Sequence, residues 1–227
     1  MKCAALLCVL SIMALGTAHA TPVASQPIYV VAYVDVLATA APRAAAILKQ
    51  YRNTSRGESG AIGIDVFSQK SRASGFGIVE VWRDNAAFET HGKAAGFEQL
   101  IHDMKPIQLA PLDVRVHTPY SLGSPMAESH NAITLLVHVD VLPSFLGDYE
   151  RLVKQYIDGS RGEPGLLRLD ILQSLPPHTN HLTVIERWVD ERALEAHQKA
   201  ATAQTYREEL APKLGALYDE RSYQKID

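Results

Sequence analysis

The chain contains two copies of one sequence pattern, and this duplication limits its fold more than any other feature. The segment Val34–Leu37 returns 105 residues later as Val139–Leu142. Further pairs follow at a spacing of 105 or, after a one-residue insertion, 106: Tyr51 with Tyr156, Glu58 with Glu163, Glu80 with Glu186, Trp82 with Trp188, Asp84 with Asp190, and His91 with His197. Solenoid repeats are roughly 20 to 50 residues long. A repeat of this length therefore indicates two tandem domains.

The first twenty residues have the pattern of a secretory signal peptide. Lys2 supplies a positive charge, Ala4–Leu15 is an apolar run, and the small residues Ala18 and Ala20 mark a cleavage site. The run is shorter than the roughly 20 residues that a membrane-spanning helix needs. We therefore expect an exported protein that begins at Thr21 and resides in the periplasm or the medium.

The composition of the remaining chain excludes several classes of site. The only cysteines, Cys3 and Cys8, would leave with the leader, so neither a disulfide nor a thiolate is expected. No histidine has the HExxH spacing of a zinc enzyme, and no glycine-rich phosphate-binding motif occurs. The formal net charge is −3 without a basic cluster, which argues against a nucleic-acid partner and against binding to anionic membranes. No metal site and no dedicated cofactor site are predicted.

Each copy predicts the same order of strands and helices. Apolar β-branched runs predict the strands, a periodic apolar stripe predicts the first helix, and an Asp N-cap predicts the second. In the second copy, Ser144 is the expected N-cap of the first helix. The second helix is expected to continue past Gly96 in copy one and past Thr202 in copy two. The expected strands are Ile28–Leu37, Ala61–Gln69, Gly77–Arg83 and Leu112–His117 in copy one, and Ile133–Leu142, Leu166–Ser174, Leu182–Val189 and Ala216–Tyr223 in copy two.

The order βαββαβ is the ferredoxin-like arrangement, whose helices cover only one face of the sheet. The bare face must be buried elsewhere, and a covalently attached second copy is the obvious partner. We therefore predict an α+β fold in which two tandem ferredoxin-like domains form an intrachain dimeric α/β barrel. The predicted domains are residues 27–120 and 132–227, joined by a linker over 121–131. The pattern leaves open whether this pseudo-dimer pairs again as a homo-oligomer.

Strand alternation groups the polar residues into candidate sites. Glu80 and Trp82 share a face in copy one, as do Glu186 and Trp188 in copy two. A buried carboxylate costs several kcal/mol unless it is paired or hydrogen-bonded. These glutamates could therefore be held by structural partners, with Arg83, Arg168 and Arg187 as candidates. Alternatively, they could line a pocket and accept a substrate proton. On the first strands, the polar residues of the other expected sites are Tyr33, Asp35, His138 and Asp140.

The tryptophans and the repeated histidines also have two interpretations. Trp82 and Trp188 could be core anchors, or flat walls against which an aromatic ligand stacks. His91 and His197 on the second helices could be surface residues, or acid–base groups. Because these residues recur in both copies, the recurrence favours a functional role for them.

The run Glu186-x-Trp188-x-Asp190, followed by Ala193-Leu194-x-Ala196-His197, resembles the antibiotic biosynthesis monooxygenase superfamily. The first copy is a looser match, with Glu80-x-Trp82-x-Asp84 followed by Ala87-Phe88-x-x-His91. The resemblance covers both domains and implies a dimeric ferredoxin-like barrel.

The resemblance also implies a cofactor-independent monooxygenase that oxidises a small phenol, hydroquinone or anthrone with O2. On that interpretation the tryptophans form the pocket wall, the histidines bind a substrate oxygen, and the glutamates accept its proton. Because copy two fits the pattern better, we expect its site to be the more active one. The implied catalytic residues are Glu186, Trp188, His197, Glu80, Trp82 and His91, and the implied substrate-binding residues are Asp35, Tyr33, Asp140 and His138.

Three alternatives remain at this stage. A haem-degrading relative would carry an asparagine on the first strand, where this chain has Asp35 and Asp140. An exported, non-catalytic module could bind a planar molecule such as haem or a quinone. A structural pseudo-dimer would have a closed pocket, whereas binding or catalysis needs a cavity beside the repeated residues.

Overall fold

The computed structural model describes residues 26–124, 129 and 131–227. The expected leader, residues 1–20, lies outside this part of the chain, as does most of the second half of the expected linker. The strands are β1 Ile28–Asp35, β2 Ala61–Gln69, β3 Gly75–Trp82, β4 Asp113–Ser121, β5 Ile133–Asp140, β6 Leu166–Ser174, β7 His181–Trp188 and β8 Asp219–Lys225. The α-helices are α1 Ala41–Ser55, α2 Asn85–His91, α3 Ala95–Met104, α4 Leu146–Ser160, α5 Glu191–Lys199 and α6 Ala201–Leu210.

The eight strands form one closed antiparallel barrel in the order β1-β3-β2-β8-β5-β7-β6-β4. Each half contributes four strands, and β2–β8 and β4–β6 join the two halves edge to edge. Closure leaves no unpaired sheet edge, which would otherwise be open to aggregation. The predicted α+β fold of two ferredoxin-like domains in an intrachain barrel is confirmed. The strand β4 runs on to Ser121, so it includes the first residue of the expected linker.

Three apolar cores stabilise the molecule. The first lies between one half of the barrel and α1 to α3, and the second lies between the other half and α4 to α6. The third fills the barrel interior, where Tyr33, Phe67, Leu136 and Tyr223 meet across the two halves. In the described residues, no helix is both long enough and apolar enough to cross a bilayer.

The helices differ from the sequence prediction in two places. The first helix of copy two begins at Leu146, and Ser144 lies in a preceding 3-10 turn instead of capping the helix. Each expected second helix is two helices, because the backbone is extended at Ala94 and Ala200. In copy one the C-cap of α2 is Gly92, a residue with low helix propensity. In copy two no glycine or proline stands at the break, so there tertiary packing has overridden local helix propensity. The predicted caps are confirmed: Asp84 and Asp190 each accept a hydrogen bond of 2.8 Å from the backbone three residues on.

Gly60, in the turn before β2, allows this turn to pack closely against α2. Its φ is +92°, which disfavours any residue with a side chain. A Cβ at this position would lie 2.5 Å from the Cβ of Ala87, at the start of α2. The turn therefore needs glycine for both its backbone and its close packing.

We expect Gly60→Ala to lower the free energy of unfolding by at least ~1–2 kcal/mol, the cost of a left-handed backbone, because the clash with Ala87 adds to it. The matched control is Gly63→Ala in β2, where a Cβ meets nothing within 4 Å. The control should change stability by no more than about 0.5 kcal/mol. Urea unfolding of both variants measures the difference, and equal losses would show that this turn does not require glycine.

Candidate active site

A buried hydrogen-bond network surrounds Glu80 in the first domain. The Tyr51 hydroxyl donates to Oε1 of Glu80, and the Trp82 indole N–H donates to Oε2 over 2.8 Å. Nε2 of His91 lies 2.8 Å from the Tyr51 hydroxyl. Nδ1 of His91 lies 2.9 Å from Oε2 of Glu58. Tyr51, Trp82 and His91 thus link the buried carboxylate of Glu80 to the partly exposed Glu58.

Four elements of the domain meet to build this network. Strand β3 supplies Glu80 and Trp82 on the face that α1 and α2 cover, α1 supplies Tyr51, and the turn after α1 supplies Glu58. His91 ends α2, and its ring stacks on Trp82 with 4.4 Å between the centroids and 24° between the planes. The glutamate is therefore satisfied by tyrosine and tryptophan rather than by arginine. Among the expected arginine partners, Arg168 pairs with Asp170 over 2.6 Å and Arg83 pairs with Asp84 over 3.0 Å.

The second domain repeats the network with nearly the same distances. Trp188 donates to Glu186 over 2.9 Å, and Tyr156 donates to the other oxygen of that carboxylate. Nε2 of His197 lies 2.9 Å from the Tyr156 hydroxyl, and Nδ1 lies 2.8 Å from Glu163. The residue pattern that recurs in the sequence is thus one repeated hydrogen-bond network.

Burial sets the protonation of the carboxylate and the phenols. It raises the pKa of Glu186, while His197 and the hydrogen bond from Tyr156 act in the opposite direction. It also raises the pKa of Tyr51, and the adjacent Glu80 adds to this effect. Burial and Glu186 likewise raise the pKa of Tyr156. Both tyrosines are therefore neutral hydroxyls that donate to a carboxylate.

A cavity of about 150 Å³ adjoins the network of the first domain. It lies between the sheet and helices α2 and α3, and its polar side chains are Tyr51, Glu80 and His91. The rest of the wall is apolar and includes Ala32, Phe88, Phe97, Leu100, Leu112 and Val114. The cavity is therefore an almost wholly apolar space, and the residues of the network form part of its wall.

The second domain carries bulkier groups at two wall positions. At the repeat spacing of 106, Leu100 corresponds to Tyr206 and Leu112 to Tyr218. Tyr206 stacks on Tyr156 with 4.3 Å between the ring centroids. A cavity lined by the buried glutamate and histidine of the network thus lies in the first domain, beside the looser sequence match. Wall residues, which the motif does not include, decide this difference. The greater activity expected of copy two stays a prediction.

The tryptophans do not form the cavity wall that we expected. Trp82 and Trp188 are 0% and 1% exposed, and Trp82 is absent from the cavity lining. Their indole N–H groups hold Glu80 and Glu186, and their rings stack on His91 and His197. The side chains of β3 and β7 alternate as predicted, but each indole is covered by the histidine above it.

The four expected substrate-binding residues do not join the network, because they lie on the opposite face of the sheet. Directly opposed residues share a face, and Glu80 is opposed by Val30 and Glu186 by Leu135. Odd-numbered Tyr33 and Asp35 of β1, and even-numbered His138 and Asp140 of β5, therefore point away from the glutamates.

Their partners on that face are also different. The guanidinium carbons of Arg115 and Arg221 each lie 4.9 Å from the centre of the Tyr33 ring. Asp35 pairs with Arg72, and Asp140 accepts a hydrogen bond of 3.0 Å from Asn180.

His138 is poorly suited to hold a proton. Burial, with the nearby Arg115 charge, lowers its pKa to about 4. Among the described residues, no group of three or more His, Cys, Asp or Glu side chains is arranged to hold a metal ion.

Sequence reasoning missed Tyr51, Glu58 and their counterparts as parts of the site. All four recur at the spacing of 105, so the repeat itself carried the signal. However, Tyr51 could also recur because it occupies an apolar position of the helix, and Glu58 could recur because it lies in a turn. The recurrence alone therefore did not assign them to the site. Only the packing of α1 against β3 shows that they meet His91.

Known proteins share this architecture. A profile of the family described as antibiotic biosynthesis monooxygenase matches residues 27–103 and 132–209. YcnE of Bacillus subtilis strain 168, provisionally named a monooxygenase, is 35% identical over 60 residues. That match covers 26% of this chain and 63% of YcnE, so the chain spans less than two thirds of the relative's length.

Two solved structures resemble the whole tandem barrel. A provisionally named monooxygenase of Fusobacterium nucleatum is 17% identical with a TM-score of 0.77, over 89% of this chain and 94% of its own. An anthrone oxidase-like protein is 12% identical with a TM-score of 0.71, over 89% of this chain and 92% of its own. Both likenesses concern the fold.

The raised pKa of Glu186 predicts a pH-dependent contribution to stability. An unfolded glutamate ionises near pH 4.3, whereas the folded one keeps its proton to a higher pH. Between these two pKa values the unfolded chain releases a proton that the folded protein holds, so rising pH favours unfolding. The stability of the wild-type protein relative to Glu186→Gln should therefore fall as pH rises from about 4.3 through the raised pKa.

Thermal melting of both proteins between pH 4 and 8 measures this effect. The control is Glu195→Gln, which removes a carboxylate that is 60% exposed on α5. The melting temperatures of the control should follow those of the wild-type protein across the range. Parallel pH curves for wild type and Glu186→Gln would contradict the raised pKa.

Proposed function

The chain belongs to the antibiotic biosynthesis monooxygenase family, and we propose that it is a cofactor-independent monooxygenase that oxidises a one-ring phenol or hydroquinone with O2. The observation that carries this proposal is the first-domain cavity, in which Glu80, Tyr51 and His91 form part of an otherwise apolar wall. An apolar space favours a flat aromatic ring, and the three polar groups match a ring hydroxyl.

The size of the cavity supports a single ring. Its volume is about 150 Å³, and an apolar cavity of about that size holds one benzene ring. Drug-sized ligands need about 300–1,000 Å³. Anthrone has three fused rings and haem has four pyrrole rings around an iron, so both exceed this space. The volume therefore favours a one-ring substrate over anthrone, and over haem binding or haem degradation.

The proposed reaction needs no reductant besides the substrate. One hydroquinone and one O2 give one hydroxyquinone and one water. One oxygen atom forms a bond to a ring carbon, and the other takes two hydrogen atoms from the substrate and leaves as water. The ring loses four electrons, and O2 gains all four. A phenol would give a benzoquinone and water by the same balance.

The protein's part in this reaction is to form and hold the substrate anion. In its carboxylate form, Glu80 accepts the hydroxyl proton as general base, which makes the ring electron-rich enough to react with O2. The protonated carboxyl group of Glu80 then donates a hydrogen bond toward the anionic oxygen, and Tyr51 and His91 hold this carboxyl group in place. Because the rest of the wall is apolar, the interactions of these groups are not weakened by water.

The same network provides a route for the proton to leave. The single hydroxyl hydrogen of Tyr51 serves either Glu80 or His91, so a shift of this hydrogen moves a proton between the two. A proton taken up by Glu80 can pass through Tyr51 to Nε2 of His91, while Nδ1 releases its own proton to Glu58. The Glu58 side chain is 21% exposed and so connects the network to solvent.

We expect Glu80→Gln to lower kcat about 10²- to 10⁴-fold, the usual contribution of a general base. The matched control is Glu186→Gln, which makes the same change in the second network and should keep most of the activity. The measurement is O2 uptake by the chelator-treated protein with a panel of hydroquinones, above the autoxidation blank. If both variants fold and lose the same fraction of kcat, Glu80 is not the general base.

Ring number should govern turnover, because the cavity holds one ring. We expect kcat/KM to fall steeply from benzene-1,4-diol to naphthalene-1,4-diol, and anthrone to be inert. Leu112→Ala enlarges the cavity and should raise kcat/KM for the two-ring diol relative to the one-ring diol. Leu217→Ala, at a residue that is 92% exposed, is the control. Anthrone turnover at the one-ring rate would contradict the assigned substrate class.

A non-catalytic binding module is the alternative that the same cavity allows. A ligand that binds beside Glu80 without any O2 uptake across the panel would favour it. The two functions are therefore separated by turnover and not by binding.

A further inference from the structure

The first-domain cavity reaches the protein surface at an apolar entrance, which we define by Gly92 and Val114. Both residues line the cavity, and Val114 is 43% exposed although it lies on a strand. Gly92 follows the last residue of α2 and has no side chain to cover the opening. On α3, which supplies Phe97 and Leu100 to the cavity wall, Ile101 is 41% exposed. A small neutral molecule meets no charged side chain at these three positions.

The corresponding positions of the second domain carry polar side chains bonded to one another. At the spacing of 106, Gly92, Ile101 and Val114 correspond to Gln198, Arg207 and Glu220. Gln198 donates to Oε1 of Glu220 over 2.8 Å, and Arg207 donates to Oε2 over 2.6 Å. The two carboxylate oxygens of Glu220 thus connect β8 to α5 and α6. At the corresponding place, the first domain has its apolar entrance.

Behind this bridge, tyrosines take up the interior. Tyr218 replaces Leu112, and its phenol is close enough to Glu186 and Glu220 for both to add to the effect of burial in raising the Tyr218 pKa. The guanidinium of Arg207 lies 5.9 Å from the Tyr218 ring. Tyr206 replaces Leu100 and packs on Tyr156. One wall position changes in the opposite direction, since Phe97 corresponds to Ala203, and the stacked Tyr206 lies three residues further along the same helix.

We propose that this protein has one substrate site per chain, in the first domain, and that the second domain is a closed copy. Its entrance is sealed by the Gln198–Glu220–Arg207 bridge, and its interior is filled by Tyr206 and Tyr218. Gly92, Leu112 and Val114 are then the residues that keep the first site open and limit it to one ring. The kind of ligand rests on the proposed function, whereas the number of sites rests on this comparison of the two halves.

The closed copy has a physical reason to keep its network. Glu186 is buried, and removal of its partners would leave an uncompensated carboxylate in the core. The tyrosine, tryptophan and histidine around it are therefore required for stability even where no substrate can enter. The number of copies of the motif therefore does not give the number of active sites.

The first experiment is a calorimetric titration of the whole protein with phenol under nitrogen, where turnover cannot occur. We expect one phenol bound per chain. Two equivalent sites, or none, would overturn the inference.

Transfer of the second domain's residues to the first tests where that phenol binds. The triple variant Gly92→Gln, Ile101→Arg, Val114→Glu should weaken phenol binding at least 10-fold. Leu112→Tyr, a single change at a partly buried position, should also weaken phenol binding at least 10-fold. It replaces the triple variant as the test if the triple variant does not fold. The control is Leu217→Glu, which adds the same charge at a residue that is 92% exposed and away from the cavity, and it should bind phenol within about twofold of wild type. Unchanged binding in folded Leu112→Tyr would overturn the assignment to the first domain.

The reverse change tests the closure of the second domain. Tyr206→Leu and Tyr218→Leu empty the interior, and Gln198→Gly, Arg207→Ile and Glu220→Val remove the bridge. Together these changes should raise the stoichiometry from one phenol to two, with the folded state checked by circular dichroism. A folded variant with all five changes that still binds one phenol would overturn the assigned closure of the second domain. These outcomes are independent of the O2 assay: one phenol per chain without O2 uptake would refute the monooxygenase while leaving the single site intact.

Discussion

The structure depends on one costly arrangement, a carboxylate buried in the middle of a sheet. Glu80 and Glu186 lie on the helix-covered face, where an unpaired charge would cost several kcal/mol. Each is satisfied by a tyrosine from the preceding helix and by the tryptophan two residues along its own strand. The histidine that ends the next helix holds the tyrosine and is itself held by a glutamate from the turn. One buried charge therefore fixes the relative positions of a strand, two helices and a turn.

The two copies form one barrel although their sequences differ at many positions. Each half needs the other to cover the inner face of its sheet, and β2–β8 and β4–β6 close the edges. This need preserves strands and networks in both halves, but it does not constrain the space between sheet and helices. Leucine at two wall positions leaves a cavity in one half, and tyrosine fills the same positions in the other. Both halves thus keep the same network, whereas the volumes of a few side chains decide whether a cavity remains beside it.

The sequence predicted features that follow from local or periodic chemistry. The existence and order of the strands, the Asp84 and Asp190 caps and the glycine turns agree with the structure because each depends on a few neighbouring residues. The predicted ends of some strands are wrong, and β8 begins three residues later than predicted. The breaks at Ala94 and Ala200 were missed, because alanine itself favours helix, and at Ala200 only packing makes it extended. The alternation within β1 and within β3 is predictable, but the mutual register of the two strands is not. The sequence therefore did not show that Tyr33 and His138, the expected substrate-binding residues, lie on the other side of the sheet from the glutamates.

By itself, the sequence determined the duplication, the βαββαβ order and the residues whose recurrence marks the network. These are properties of spacing and of side-chain type, which a single chain displays directly. Only the tertiary structure decided that Tyr51 and Glu58 join Glu80 and His91, that the tryptophans support the site instead of lining it, and that the cavity lies in the first half. These depend on register and on the volume left between packed elements, and both arise only when distant segments meet.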